Sequence, residues 1–225
     1  MIKVIDLRSE YSTNPIFVNF NRQAYAIPTL YVKSLPKFDS KKINTCLIIL
    51  HPHNNFPEKP NIQGFADFYL YFNFDKYFAS SDTEKKMMQL QAVHQGMLGI
   101  AVEQGWNTEP FEIAYQACLA ADLVLNTQIK KRKMSPNRKQ YLSIFAHCDL
   151  YHFKITWTVS DKKGTILQRG PLFSEEPSFL AMGYRLNFHW IDDEHFIVES
   201  NYKGLISDTW EVDILNGTVL VTSKL

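Results

Sequence analysis

Hydrophobic residues recur with two different periods along this chain, and its fold must accommodate both. Between residues 81 and 105 they recur at steps of three and four, which is typical of one face of an amphipathic helix. Between residues 153 and 159 they alternate with polar residues, which is typical of a strand that buries one face. The sequence therefore predicts an α+β protein, with helices in its middle and antiparallel strands at its end.

Capping signals bound the first predicted helix. Ser81 stands three residues before a glutamate, which is the spacing of a capping box, and Gly105 suits the position just past the helix end. A second helix is predicted to begin close to residue 107, so that the two helices form an αα-hairpin. Inside the first helix, Gly96 and Gly99 each cost about 1 kcal/mol relative to alanine. They either permit close packing against a second element or are merely tolerated.

The first 80 residues are predicted to be rich in strands and loops. The candidate strands, chosen for their β-branched and aromatic residues, are residues 2–7, 16–20, 26–32, 45–50 and 65–74. Three prolines, at positions 52, 57 and 60, precede the last of these strands. They predict a loop, because proline has no amide hydrogen to donate to a strand ladder.

The second half of the chain is predicted to be an antiparallel β-meander of roughly six or seven strands. Its turn signals are Gly164 in SDKKGT, the acidic run at residues 192–194, and Asn216 followed by Gly217. The charged segment QIKKRKMSPNRKQ interrupts the pattern, and a boundary is predicted inside it. Residues 1–129 would form an N-terminal α+β region and residues 140–225 a C-terminal antiparallel β region, with one shared core as the alternative.

Composition is that of an ordinary globular protein. The chain has 225 residues, of which 45% are hydrophobic and 21% charged, so it can bury a substantial core without a metal or disulfides, and no cofactor is predicted. Its three cysteines, Cys46, Cys118 and Cys148, form no CxxC pair and are expected to be buried. Charged residues near the N-terminus replace the apolar run of a signal peptide, and no stretch is long enough to span a membrane. These features predict a cytoplasmic protein with no membrane partner.

His51 and His53 follow an apolar run in the stretch LIILHPHNNF. On a continuing strand both side chains would point to one face, where two imidazoles can bind one zinc or iron ion. Further ligands would have to come from Asp67, Asp75 or His94, and none of these has ligand spacing to another. Pro52 also disfavours a continuing strand. The alternative interpretation is a loop in which the histidines form hydrogen bonds or face water.

Two charged clusters are candidate partner-binding sites. The basic cluster comprises Lys130, Lys131, Arg132 and Lys133, within the segment 130–139. The acidic cluster comprises Asp192, Asp193 and Glu194. The basic segment could also be a solvated connector, and the acidic one a solvated turn. Neither nucleophile motifs nor phosphate-binding glycine motifs are found in the sequence.

Five segments stand in a suggestive order. They are FADFYLYFNFDKYF, the helix EKKMMQLQAVHQGMLGIAVEQGW, a second helix from EPFEIAYQAC, the stretch SPNRKQYLSIFAHCDLYHFKITWTVSDKKGTIL and the strand LNFHW. Their order over about residues 65–200 resembles a family of immunity proteins from bacterial polymorphic toxin systems, in pattern and without an invariant motif. The resemblance implies a cytoplasmic protein that binds one cognate toxin domain and blocks it by steric occlusion.

Two other functions remain open from the residues alone. The first is a metal-dependent hydrolase that uses His51 and His53. The second is a nucleic-acid binder that uses residues 130–139, which the net charge of +1 disfavours because it provides no overall attraction to a polyanion.

Overall fold

The computed structural model describes residues 1–10, 14–57, 62–178, 186–200 and 207–224. The chain divides into two compact units. The N-terminal unit holds residues 1–125 with 149–151, and the C-terminal unit holds residues 126–148 with 152–225. The predicted α+β class is confirmed. Among the described residues, no helix is long and apolar enough to cross a membrane.

A three-stranded parallel sheet with helices forms the N-terminal unit. Its strands are β1 (Val4–Ser9), β2 (Thr45–His51) and β3 (Phe65–Tyr71), in that spatial order. Its helices are α1 (Pro15–Gln23), α2 (Ala26–Ser34), α3 (Phe74–Ala79), α4 (Asp82–Gln104) and α5 (Glu109–Ala120). Helices α4 and α5 are the predicted hairpin.

Two of the predicted strands are wrong, because residues 16–20 and 26–32 lie in α1 and α2. The side chain of Asn14 accepts a hydrogen bond from the Ile16 amide at 3.0 Å and caps α1, with Pro15 in its first turn. In α2 the buried residues include Ile27, Leu30 and Tyr31, a spacing that places them on one helical face. Aromatic and β-branched residues therefore serve packing here rather than strand formation.

The capping box of α4 is confirmed. The Ser81 hydroxyl accepts from the Glu84 amide, and the Glu84 carboxylate accepts from the Ser81 amide at 2.8 Å. Gly105 ends the helix with a φ of 65°. Gly96 and Gly99 permit close packing, since an added Cβ would lie 2.7 Å from the Ile48 side chain and 2.3 Å from the Phe68 ring respectively.

Two four-stranded sheets form the C-terminal unit. The first contains β4 (Leu125–Met134), β5 (Gln140–Cys148), β6 (Phe153–Asp161) and β7 (Ile166–Glu175) in sequential order. The second contains β8 (Leu186–Trp190), β9 (His195–Ser200), β10 (Ser207–Asp213) and β11 (Thr218–Lys224), also in sequential order. Their aromatic side chains meet in the core, where the Trp157 and Phe196 rings are 5.5 Å apart and the Phe173 and Trp210 rings 5.0 Å apart.

The interpretation of residues 130–139 as a connector is wrong for its first half. Residues 130–134 belong to β4, an edge strand, and Lys130 has a φ of 60° within it. A positive φ in a strand is typical of a local irregularity. Charged residues and irregular geometry on an edge strand commonly prevent it from pairing with the strand of another molecule. Residues 135–139 form the turn to β5, in which the Ser135 amide donates to the Gln140 carbonyl at 2.9 Å.

The turns predicted at Gly164 and at residues 192–194 are confirmed. The turn at Asn216 and Gly217 is also present, but it contains four residues rather than two, because Asp213 pairs with Thr218. The Asp213 carboxylate accepts hydrogen bonds from the amides of Leu215 and Asn216, which stabilises this wider turn. All three cysteines are buried and unbridged, as predicted. Burial raises the pKa of the Cys46 thiol to about 12.

Candidate functional site

His51 is the last residue of β2, which is the central strand of the parallel sheet. Its Nε2 atom is 2.6 Å from Oε2 of Glu10, which follows β1. The His51 side chain is 7% exposed and that of Glu10 36%. Ligands of open parallel sheets bind beyond the carboxyl ends of the strands, so this pair lies where a small-molecule site would be expected.

The metal-site hypothesis for His51 and His53 finds little support in this geometry. Their ring centroids are 6.5 Å apart, and Glu10 already contacts Nε2 of His51. Within the described ranges, no three histidine, cysteine or acidic side chains are grouped so as to hold a metal ion. Neither Asp67, Asp75 nor His94 therefore supplies the further ligand that the hypothesis requires.

A cleft of about 370 Å³ lies beside β1. Asp6 and Arg8 contribute to its lining, with 3.6 Å between their charged atoms, and burial raises the pKa of Asp6 while Arg8 opposes that shift. On the other side of the cleft, Oδ1 of Asn21 accepts a hydrogen bond from the Ser9 amide at 2.7 Å. This bond attaches α1 to the edge of β1, so Asn21 has a structural role here.

His94 joins three helices of the N-terminal unit. Its Nδ1 atom lies 3.0 Å from the Tyr31 hydroxyl of α2, and its Nε2 atom lies 3.3 Å from the Glu112 carboxylate of α5. The Tyr31 hydroxyl also donates to the Phe111 carbonyl at 2.9 Å. Burial lowers the pKa of His94, and Glu112 partly opposes this. The network stabilises the packing of α2, α4 and α5.

Two of the four cations of the basic cluster contact the opposite sheet. The Lys130 ammonium donates to Oδ1 of Asn187 in β8. The Lys133 ammonium lies 5.4 Å from the ring centroid of Phe188, and the Lys133 carbonyl accepts from the Trp190 indole at 3.1 Å. Lys130 and Lys133 therefore hold the edge strand β4 against β8.

The other two cations, Lys131 and Arg132, line an open cleft of about 750 Å³ together with Gln128, Lys130 and Tyr141. The Arg132 guanidinium carbon lies 4.0 Å from the centroid of the Tyr141 ring, the distance of a cation–π contact. In the described part of the chain, none of the four cations is paired with a carboxylate. Among the described residues, their positive charge is therefore not compensated by an ion pair with an acidic side chain.

The acidic cluster is anchored in its own turn and to a neighbouring turn. Oδ1 of Asp192 accepts from the backbone amides of Glu194 and His195, and these bonds help to lower the pKa of Asp192. Asp193 accepts from the Asn137 amide at 2.8 Å through its carboxylate and from the Gln140 side chain through its carbonyl. The structure thus brings the acidic cluster next to the turn that follows the basic strand.

Two contributors were missed at the sequence level. Glu10 and His51 are distant in the sequence, and they meet only through the parallel register of β1 and β2, in which Ser9 pairs with Leu50. Tyr141 stands nine residues after Arg132, and only the hairpin between β4 and β5 brings the two together. No local sequence signal marks either pair.

The chain matches no protein-family model, no curated protein and no solved structure. The order of segments over residues 65–200 therefore remains a resemblance.

Proposed function

We propose that this chain is an immunity protein, which binds one cognate bacterial toxin domain in the cytoplasm and blocks it by steric occlusion. The order of segments over residues 65–200 supports the proposal at the sequence level. The structural observation that supports the proposal most is a contrast between the histidines and the exposed cations of β4. Histidines that could carry out chemistry form hydrogen bonds within the fold, whereas Lys131 and Arg132 are exposed and have no ion pair among the described residues.

Three histidines that could carry out chemistry each contact other side chains of the fold. His51 contacts Glu10, His94 contacts Tyr31 and Glu112, and His195 contacts Asp192 at 2.9 Å. Each contact joins secondary-structure elements or stabilises a turn. The fold therefore accounts for the position of each of these histidines without a catalytic role.

Occlusion requires an interface rather than a reaction centre. A standard protein–protein interface buries about 1,600 Å² in total, and a few arginine, tyrosine and tryptophan side chains supply most of its binding energy. The C-terminal unit offers such a pair in Arg132 and Tyr141, which line one cleft with the exposed Lys131. These residues could therefore anchor a partner without any catalytic step.

Co-expression tests the proposal. The toxin candidate is the C-terminal domain of the protein encoded immediately upstream, expressed in bacterial cells with and without this chain. We expect growth arrest by the domain alone, rescue by the chain, and a one-to-one complex on size-exclusion chromatography. Growth arrest that persists, together with separate elution of the two proteins, would contradict the proposal.

A further inference from the structure

The basic strand β4 carries two functionally different pairs of cations. Lys130 and Lys133 contact Asn187 and Phe188 in β8, so their positions are explained by the packing of the two sheets. Lys131 is exposed and makes no ion pair within the described residues. Arg132 is exposed and lies on the Tyr141 ring. The fold therefore accounts for one pair of cations and leaves the other pair available to a partner.

The contact with Tyr141 restricts the side-chain conformations of Arg132 before a partner binds. Arginine has many rotamers, and fixing them during association opposes binding. A guanidinium that already lies 4.0 Å from a tyrosine ring centroid has part of that freedom removed before the partner arrives. The face of Arg132 that does not contact the ring can still pair with a carboxylate, for which its planar donors are well suited.

The limited extent of the positive surface favours an acidic protein over nucleic acid. Proteins that bind nucleic acid through its backbone commonly neutralise several phosphates along a continuous surface. Here four cations lie on β4, and the turn that follows it carries Arg138 and Lys139 together with Asn137, whose amide donates to the Asp193 carboxylate. A phosphate backbone that continued from β4 over this turn would meet the Asp193 carboxylate, whereas a carboxylate patch on a protein surface can be confined to β4. The net charge of +1 also provides no long-range attraction to a polyanion.

We infer that the cleft along β4 that Lys131, Arg132 and Tyr141 line is part of the toxin-binding surface. Lys131 and Arg132 bind an acidic patch of the toxin domain there, and Tyr141 positions Arg132. This inference rests on the proposed function. It commits the interface to β4, and it adds the charge of the partner surface, which the proposed function leaves open.

The test measures binding of the upstream-encoded domain by calorimetry or surface plasmon resonance. The test variant combines Lys131→Glu with Arg132→Glu. Its control combines Lys162→Glu with Lys163→Glu, which makes the same change in net charge at the exposed turn between β6 and β7. We expect the dissociation constant of the test variant to rise about 30-fold or more. We expect the control to stay within about twofold of the wild type.

Two further measurements separate a binding role from a structural one. Tyr141→Phe keeps the ring beneath Arg132 and is expected to bind like the wild type, whereas Tyr141→Leu is expected to weaken binding. The association rate of the wild-type chain should fall with added salt, and that of the Lys131→Glu, Arg132→Glu variant should respond less. Unchanged thermal unfolding of each variant shows that the fold is intact.

The outcomes distinguish this inference from the proposed function. Binding by the wild type and equally tight binding by the Lys131→Glu, Arg132→Glu variant would overturn the inference and leave the proposed function standing. Absence of wild-type binding would overturn both. Binding of a short DNA duplex by the wild type, lost in the same variant, would overturn the assignment of an acidic protein as the partner.

Discussion

Replacing Gly96 by alanine tests how closely α4 packs on the parallel sheet. The added Cβ would lie 2.7 Å from two side-chain carbons of Ile48 and 2.8 Å from a third. Nonbonded carbon atoms are favourably separated by about 3.5–4.0 Å, so the helix and strand must move apart by about 0.8 Å. Ile48 is fully buried and branched at Cβ, and it has little freedom to rotate away.

Two opposing effects determine the change in the free energy of unfolding. Overpacking a core by one methyl group costs about 1–3 kcal/mol, whereas alanine is favoured over glycine in a helix by about 1 kcal/mol. We therefore expect Gly96→Ala to destabilise the N-terminal unit by about 1–2 kcal/mol. Ile48→Ala removes the carbons that obstruct the added Cβ, so it should reverse the sign of the stability change that Gly96→Ala produces. In that background the Gly96→Ala substitution should stabilise by about 1 kcal/mol.

Urea denaturation followed by far-ultraviolet circular dichroism is the appropriate assay. All helices of the described residues lie in the N-terminal unit, so the helical signal reports on that unit. Tryptophan fluorescence reports mainly on the C-terminal unit, which contains three of the four tryptophans. Gln95→Ala, at an exposed neighbouring position, is the control and should change stability by less than about 0.5 kcal/mol. Stabilisation by Gly96→Ala in the wild-type background would refute the packing argument.

Three further perturbations test local features of the fold. Ser81→Ala removes the cap of α4 and should lower the unfolding free energy by about 1 kcal/mol in the same dichroism assay. Gly170→Ala would place a Cβ 2.9 Å from the buried ring of Trp157, and should destabilise the C-terminal unit by about 1–3 kcal/mol in fluorescence-monitored denaturation. The hydrogen bond to Asp192 raises the pKa of His195, so its stabilising contribution is complete below the unfolded-state pKa and is lost as pH rises through the folded-state pKa. NMR titration should show a lower His195 midpoint in Asp192→Asn, and an unchanged midpoint would contradict this assignment.

Sequence patterns predicted those elements whose signals are long or chemically specific. The capping box at Ser81 and the alternation in β6 are examples, since each depends on neighbours close in the chain. Helices α1 and α2 were mistaken for strands, because each has only nine residues and a high content of apolar and aromatic side chains. Short apolar segments of this kind fit a buried strand and a buried helix equally well.

Residues of the candidate sites were predicted less completely than the fold. The sequence identified His51 and the basic cluster, but the partners of both come from distant parts of the sequence. Glu10 reaches His51 only through the parallel register, and Tyr141 reaches Arg132 only across a hairpin. Such long-range pairings are fixed by the packing of whole elements, and a single sequence does not specify them locally.

The most direct test of the proposed function is stoichiometric inhibition. The upstream-encoded toxin domain is purified, its activity is assayed, and this chain is titrated into the reaction. Tight binding by occlusion should reduce activity linearly to a break at one chain per toxin domain. The Lys131→Glu, Arg132→Glu variant should require a large excess to reach the same inhibition. Full toxin activity at an excess of the wild-type chain would contradict the central claim that the protein acts by binding and blocking a toxin.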